Sequence, residues 1–341
     1  MAPISAQPAE LVIDPLPALP EPVSNNAVAL VPSERGVTLY SMQGLSSGRG
    51  WTDIHNHAWK LAPGQERWQA IEDVPGDRGR LAGAAAVTGG QVWLFGGYTV
   101  AEDGGEVSSP GVYRLEGSDF RHVADMPVAV DDMTAFTYLD RYVYLVSGWH
   151  DLGNVNLVQV LDTQTLSWEQ ATPYPGAVVF GHAGGMVGRH MLVCDGVKIE
   201  YPGDGAPRRF VMSDECWLGE VDEANHRRID WRPVPPHPGP ARYRIAATGN
   251  ERDAIIFAGG TGNPYNYDGI GYNGEPSEPE AGVLRFNVPD ETWASGWSLP
   301  VASMDHRSLA FHAGWYYLVG GMEQGQAVSD RVLRWRFSSA D

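Results

Sequence analysis

Cysteine, basic charge and long apolar runs are all scarce in this 341-residue chain. The two cysteines, Cys194 and Cys216, fall on consecutive expected strands of one unit. A cross-strand disulfide is geometrically open there, but two reduced, buried thiols are the expected state. Lys and Arg total 24 against 42 Asp and Glu, for a formal net charge of -18. Phosphate binding needs a basic face, so nucleic acid is not expected as a partner. No stretch approaches the roughly 20 consecutive apolar residues of a membrane-spanning helix, so no membrane association is expected. The opening "MAPISAQPAELVIDPLPALP" lacks the basic and apolar regions of an export leader. The expected compartment is therefore the cytoplasm, or the periplasm if a leader has been removed.

Glycine is plentiful and regularly placed, with 41 residues, alongside 25 prolines. The stretches "QVWLFGGY" from Gln91, "YVYLVSGW" from Tyr142, "AIIFAGGT" from Ala254 and "YYLVGGME" from Tyr316 each end an apolar strand on Gly-Gly or Ser-Gly. Glycine at a strand end marks a bend or a close backbone approach that a side chain would block. A polar loop, a short strand, a Trp and a Pro-ended segment follow most of these stops. Two diverged copies begin at "TLYSMQG" and "MLVCDG". The last copy lacks its final strand, and "ELVIDPLPALP" near the N-terminus has the shape of the missing piece.

These six copies, spaced by roughly 50 residues, resemble kelch repeats over nearly the whole chain. Strands of period two between Gly/Pro turns argue an all-β protein, and a lone four-stranded sheet cannot bury both faces. The expected fold is a six-bladed kelch β-propeller closed by an N-terminal strand. It occupies residues 11–341, with residues 1–10 as a poorly ordered extension. Trp68, Trp168, Trp231 and Trp293 recur in register and are expected to pack between blades.

In such a ring, the loops after the glycine pairs and the turns entering the innermost strands share one face. Those turns carry Asn25, Asn26, Arg78, Arg80, Asp131, Asp132, His182, Arg242, Arg244, Asp305, His306 and Arg307. Several arginines at one mouth of so acidic a protein suit capture of a carboxylate. They equally suit pairing with aspartates of "VDDM" and "MDHR" on other blades. The loops add His55 and His57 in "DIHNH", His150, Glu200, Arg208, Arg209, and Tyr265, Tyr267 and Tyr272 in the long "NPYNYDGIGYNG" insertion. Tyr, Asn and Gly together suit carbohydrate through ring stacking and amide hydrogen bonds. His55 and His57 are two apart, hence on one side of an extended segment, but spacing fixes no further ligand. Hydrogen bonding is the expected role of this pair, and no metal is assigned.

Over the whole chain the sequence is similar to the bacterial sialic acid mutarotases, also called N-acetylneuraminate epimerases. The resemblance rests on "LPALPEPVSNNAVAL", "AGGTGNPYNYDGIGYNG" and "VGGMEQGQAVSDRVL". It implies interconversion at the anomeric centre of an acidic sugar, without a cofactor. In that family a Glu and an Arg of the fourth blade's loop are implicated, which here points to Glu200 with Arg208 or Arg209. The family's Gly-Glu step reads "CDGVKIEY" in this chain, displacing the acid along the loop. Mutarotation needs one group to take the anomeric proton and another to protonate the ring oxygen. Glu200 is the expected base, His150 or His306 the acid, and Arg209 or Arg244 the holder of the carboxylate. Asn26, Arg80, Arg208, Arg242, Arg307, His55, His57 and the three loop tyrosines are the remaining expected sugar contacts. Two other readings stand beside this one: a lyase or other uronate-processing enzyme, and a non-catalytic glycan-binding or interaction platform. A small sugar is the expected partner, on a monomer or weak homo-oligomer. The tyrosine, cysteine and histidine ligands of copper radical oxidases are not recognisable.

Overall fold

The computed structural model describes residues 10–203 and 205–338, so the expected extension lies outside the described residues apart from its last position. Six antiparallel sheets stand around a central channel. Their innermost strands are Ala27–Ser33, Leu81–Thr88, Thr134–Tyr138, Ala183–Val187, Ala246–Gly249 and Ala310–His312. In the third blade the chain steps outward through Tyr142–Val146, Val158–Asp162 and Ser167–Gln170, and the other blades repeat this order. The sixth blade takes its outer strand from the other end of the chain. Leu11–Pro15 pairs antiparallel with Val332–Phe337, Leu11 opposite Phe337 and Pro15 opposite Leu333. Closure therefore joins the two chain ends by backbone hydrogen bonds.

The glycine stops are close-approach points between blades. A Cβ on Gly96 would lie 2.6 Å from the Val130 carbonyl oxygen, and one on Gly259 only 2.2 Å from that of Ser303. Both carbonyls belong to the next blade's inlet, and both glycines have positive φ. The third and fourth blades place Ser147 (φ 55°) and Asp195 (φ 66°) at the same point. Each turns its side chain into a bond to the next blade: Ser147 Oγ donates to the Val179 carbonyl at 2.9 Å, and Asp195 Oδ2 accepts from Arg242 N–H at 3.1 Å.

The recurring tryptophans fill the clefts between blades, as their register implies. Three of them tether each blade to the Pro-ended segment before it. Trp68 Nε1 donates to Pro17 O at 2.9 Å, Trp231 Nε1 to Thr172 O at 3.4 Å and Trp293 Nε1 to Pro235 O at 2.8 Å. Trp168 instead meets Phe95 of the second blade edge-on, centroids 6.5 Å apart.

The structure corrects one expectation. Cys194 and Cys216 are bonded as a disulfide rather than held as thiols. They are direct cross-strand partners within the fourth blade, Cα–Cα 4.2 Å, and both are buried. Burial alone argued for thiols; register, which places them face to face, decides for the bond.

Candidate functional site

The site is built on a floor that the six inlet turns make together. Asn25, Ala82, Asp132, Gly181, Arg244 and Asp305 occupy equivalent positions, all with φ between 47° and 65°. Backbone bonds link them blade to blade: Asn25 N–H to Asp305 O, Ala82 to Asn25, Asp132 to Ala82, Gly181 to Asp132 and Arg244 to Gly181. The His306 amide completes the circuit by donating to Arg244 O at 3.1 Å. The channel mouth is thereby closed by a hydrogen-bonded ring.

Charge is balanced within this floor. Arg244 donates to Asp132 through Nε and Nη2 and to Asp305 through Nη1 at 3.0 Å. Arg307 reaches Asp132 Oδ1 at 2.5 Å and the Met133 carbonyl at 2.8 Å. Burial pushes the Asp132 carboxyl up, but the Arg244 and Arg307 guanidiniums outweigh it and hold the group below its ordinary range. Such buried charges are tolerable only because their hydrogen bonds are met.

Above the floor lies a pocket of about 250 Å³. The second to fifth blades supply its walls, through Tyr98, Glu106, Asp131, Trp149, Phe180, Arg208, Phe210, Asn266 and Tyr272 over Arg244. Trp149 and Phe180 meet edge-on at 5.4 Å, and Tyr272 stacks on Phe210 with centroids 3.9 Å apart. The hairpin Val197–Glu200 with Arg209–Met212 carries Phe210, and the tyrosine-rich loop carries Tyr272. The two loops thus meet over the pocket. Arg49 Nη1 anchors the second of them from the first blade by donating to Asp268 O at 2.7 Å.

Three ionisable groups give the pocket its chemistry. Asp131 is buried, its Oδ2 accepting from Ser108 Oγ at 2.6 Å. Burial, then the charge of Asp132, pushes its carboxyl well above the usual range. Glu106 is also raised by burial, with a hydrogen bond from Asn266 Nδ2 working the other way. Tyr98 Oη donates to Asn266 Oδ1 at 3.3 Å and so orients that amide. Arg208 stands at the mouth, its Cζ 5.2 Å from the ring centroids of both Trp149 and Phe210. It makes a long hydrogen bond, to Leu152 O at 3.4 Å, and no ion pair is made by it among the described residues. A guanidinium held over two rings without a carboxylate is free to meet an anionic ligand.

Of the residues expected from sequence, Arg208, Arg244 and Tyr272 line this pocket. Tyr265 lies beneath it, fully buried and edge-on to Tyr243 at 5.3 Å, while Tyr267 packs against the same cluster. Arg307 is spent on Asp132. Arg80 donates to Pro75 O, Arg242 to Gly259 O and Gly282 O, and Asn26 to Ser41 Oγ, so these three brace the blades. His306 is buried against Ser303 Oγ at 2.9 Å, and burial pushes its pKa down to about 3. His150 turns Nδ1 to Ala129 O at 2.7 Å. Glu200 and Arg209 face each other across the hairpin, both exposed and outside the pocket lining. His55 and His57 stack on each other at the rim of the first blade.

Glu106, Asn266, Phe180 and Phe210 were not singled out from sequence, and Asp131 was noted only as a partner for the inlet arginines. One signal was present: the residue after a Gly-Gly or Ser-Gly stop, Tyr98 or Trp149, lines the pocket. Glu106 opens the short strand Glu106–Ser108, an extra strand of the second blade that the repeat does not foretell.

No protein-family profile matches the chain, and no curated protein matches it in sequence. Among solved structures it superimposes on that of YjhT with a TM-score of 0.74. The match covers 93% of this chain and 96% of that one at 17% identity. The fold is a six-bladed β-propeller. At this identity the likeness concerns architecture alone. Within a propeller of this type, the pocket lies on the face that carries the glycine-pair loops, and its side chains are this chain's own.

Proposed function

We propose that this propeller processes a sugar, and that it is a mutarotase or epimerase acting at the anomeric centre of an acidic sugar such as N-acetylneuraminate. The observation that carries the reading is the company of Glu106, Asp131 and Arg208 in one pocket with aromatic walls. Ring opening of a hemiketal requires removal of the anomeric hydroxyl proton and delivery of a proton to the ring oxygen. Asp131, the more strongly raised carboxyl, is the acid. Glu106, raised less, is the base, and Asn266 holds it in place. Reclosure on the opposite face reverses both transfers, so no cofactor is consumed. Arg208 takes the substrate carboxylate at the mouth, while the aromatic walls offer apolar surface to the C–H groups of a pyranose. Arg244, saturated by Asp132 and Asp305, serves as floor. The resemblance of the sequence to sialic acid mutarotases supports the same reading.

A proton NMR time course tests it. Freshly dissolved single anomers of N-acetylneuraminate, galacturonate and a neutral hexose are followed with and without protein. Faster equilibration of the acidic sugars is expected. Unchanged rates with broadened sugar signals would replace the reading with a glycan-binding platform.

A further inference from the structure

A second constellation of donor groups lies outside the pocket, on the rim of the first blade. His55 and His57 project from one face of the strand Ile54–Leu61, rings stacked 4.5 Å apart. Glu21 reaches them from the segment that joins the closing strand to the first inner strand. Its Oε1 stands 2.6 Å from His57 Nδ1 and 3.3 Å from Trp59 Nε1. One donor atom from each of Glu21, His55 and His57 lies within 4.8 Å of the other two.

His55 carries the anomaly. Both its ring nitrogens are buried, yet neither has a hydrogen-bond partner among the described residues. Buried polar atoms are normally satisfied, and an orphan costs stability. A neutral imidazole in that position presents an open lone pair on one of its nitrogens. The negative charge of Asp73 acts on the same ring, and an open groove lined by Asp73 and Asp77 leads to the cluster.

We propose that Glu21, His55 and His57 bind a divalent cation of the zinc type, and that the ion fastens the N-terminal segment to the first blade where the ring closes. Imidazole and carboxylate donors suit Zn²⁺ and its neighbours, and three protein ligands leave a position for water from the groove. Donors around tetrahedral zinc stand about 3.3 Å apart, so the group closes by side-chain rotation. Binding requires a lone pair on each ligand atom, and any proton that the ion displaces passes to solvent. None of the three residues lines the pocket, so this site stands or falls independently of the proposed sugar chemistry.

Equilibrium dialysis of the untagged full chain, stripped with chelator and loaded with Zn²⁺, is the test. One Zn²⁺ per chain is expected, with at least tenfold weaker binding in His57→Ala and in Glu21→Gln, each checked for folding by circular dichroism. Co²⁺ in the same site should give visible d–d bands that disappear in both variants. Zn²⁺ at a hundred times its Kd should raise Tm by about 4 °C in the native chain and leave His55→Ala unmoved. Failure to bind stoichiometrically, or equal binding by the native chain and the variants, overturns the proposal.

Discussion

Arg244 of the fifth blade donates to Asp132 of the third through Nε at 3.2 Å and Nη2 at 2.6 Å, spanning a blade that lies between them. Arg307 of the sixth blade meets the same carboxylate from across the ring. The floor of the pocket is therefore a cross-tie of the propeller as well as a surface for ligand.

Removing Asp132 leaves two buried guanidiniums without their shared partner. Asp132→Ala is expected to lower stability by about 3–5 kcal/mol, read from urea denaturation. The pH dependence has a definite sign. Because the folded state depresses this carboxyl, its contribution is complete above the unfolded value of about 3.9 and is lost as pH falls through the folded one.

Asp131 has the opposite sign. Its carboxyl is raised in the folded state, so its contribution is greatest below about pH 3.9 and declines as pH rises toward the folded pKa. Asp131→Asn keeps the acceptor for Ser108 and removes this penalty. The variant is expected to be at least as stable as the native chain at pH 7, by thermal melting, while losing activity.

Catalysis by the pair predicts a bell-shaped pH profile of kcat/KM for anomer exchange. The rate should fall toward acid as Glu106 takes up its proton and toward alkali as Asp131 loses its own. Glu106→Gln and Asp131→Asn should each slow exchange by about 10²–10⁴-fold, and the acid limb should vanish in the first variant. Retained rates in Glu106→Gln would remove it as the base.

Arg208 is predicted to read the substrate's charge. Arg208→Leu should weaken binding of N-acetylneuraminate by about 10–150-fold, the worth of a charge-assisted hydrogen bond, and leave neutral sugars unaffected. Titration calorimetry with both sugar types decides this.

The disulfide predicts a redox-dependent stability. Its partners are 22 residues apart, so Cys194→Ala/Cys216→Ala should lower stability by about 3 kcal/mol. Reductant should shift the native chain's urea midpoint toward that of the double variant.

The sequence by itself determined the blades. Gly96, Gly148, Gly259 and Gly320 mark backbone positions where a side chain would collide, and such local constraints leave a periodic trace that can be read. The closing strand was legible for the same reason, since the last unit lacked one strand and the N-terminus had one to spare. The mutual neutralisation of Arg244, Arg307 and Asp132 was readable only as one of two uses for the inlet arginines. Which use held depended on how far each turn leans into the channel. Tertiary structure alone decided the pocket. Glu106 and Asp131 belong to different blades, and Glu21 meets His57 only because the ring closes. Loops have no period, so curvature and blade-to-blade register, properties of the whole ring, choose which of their side chains meet.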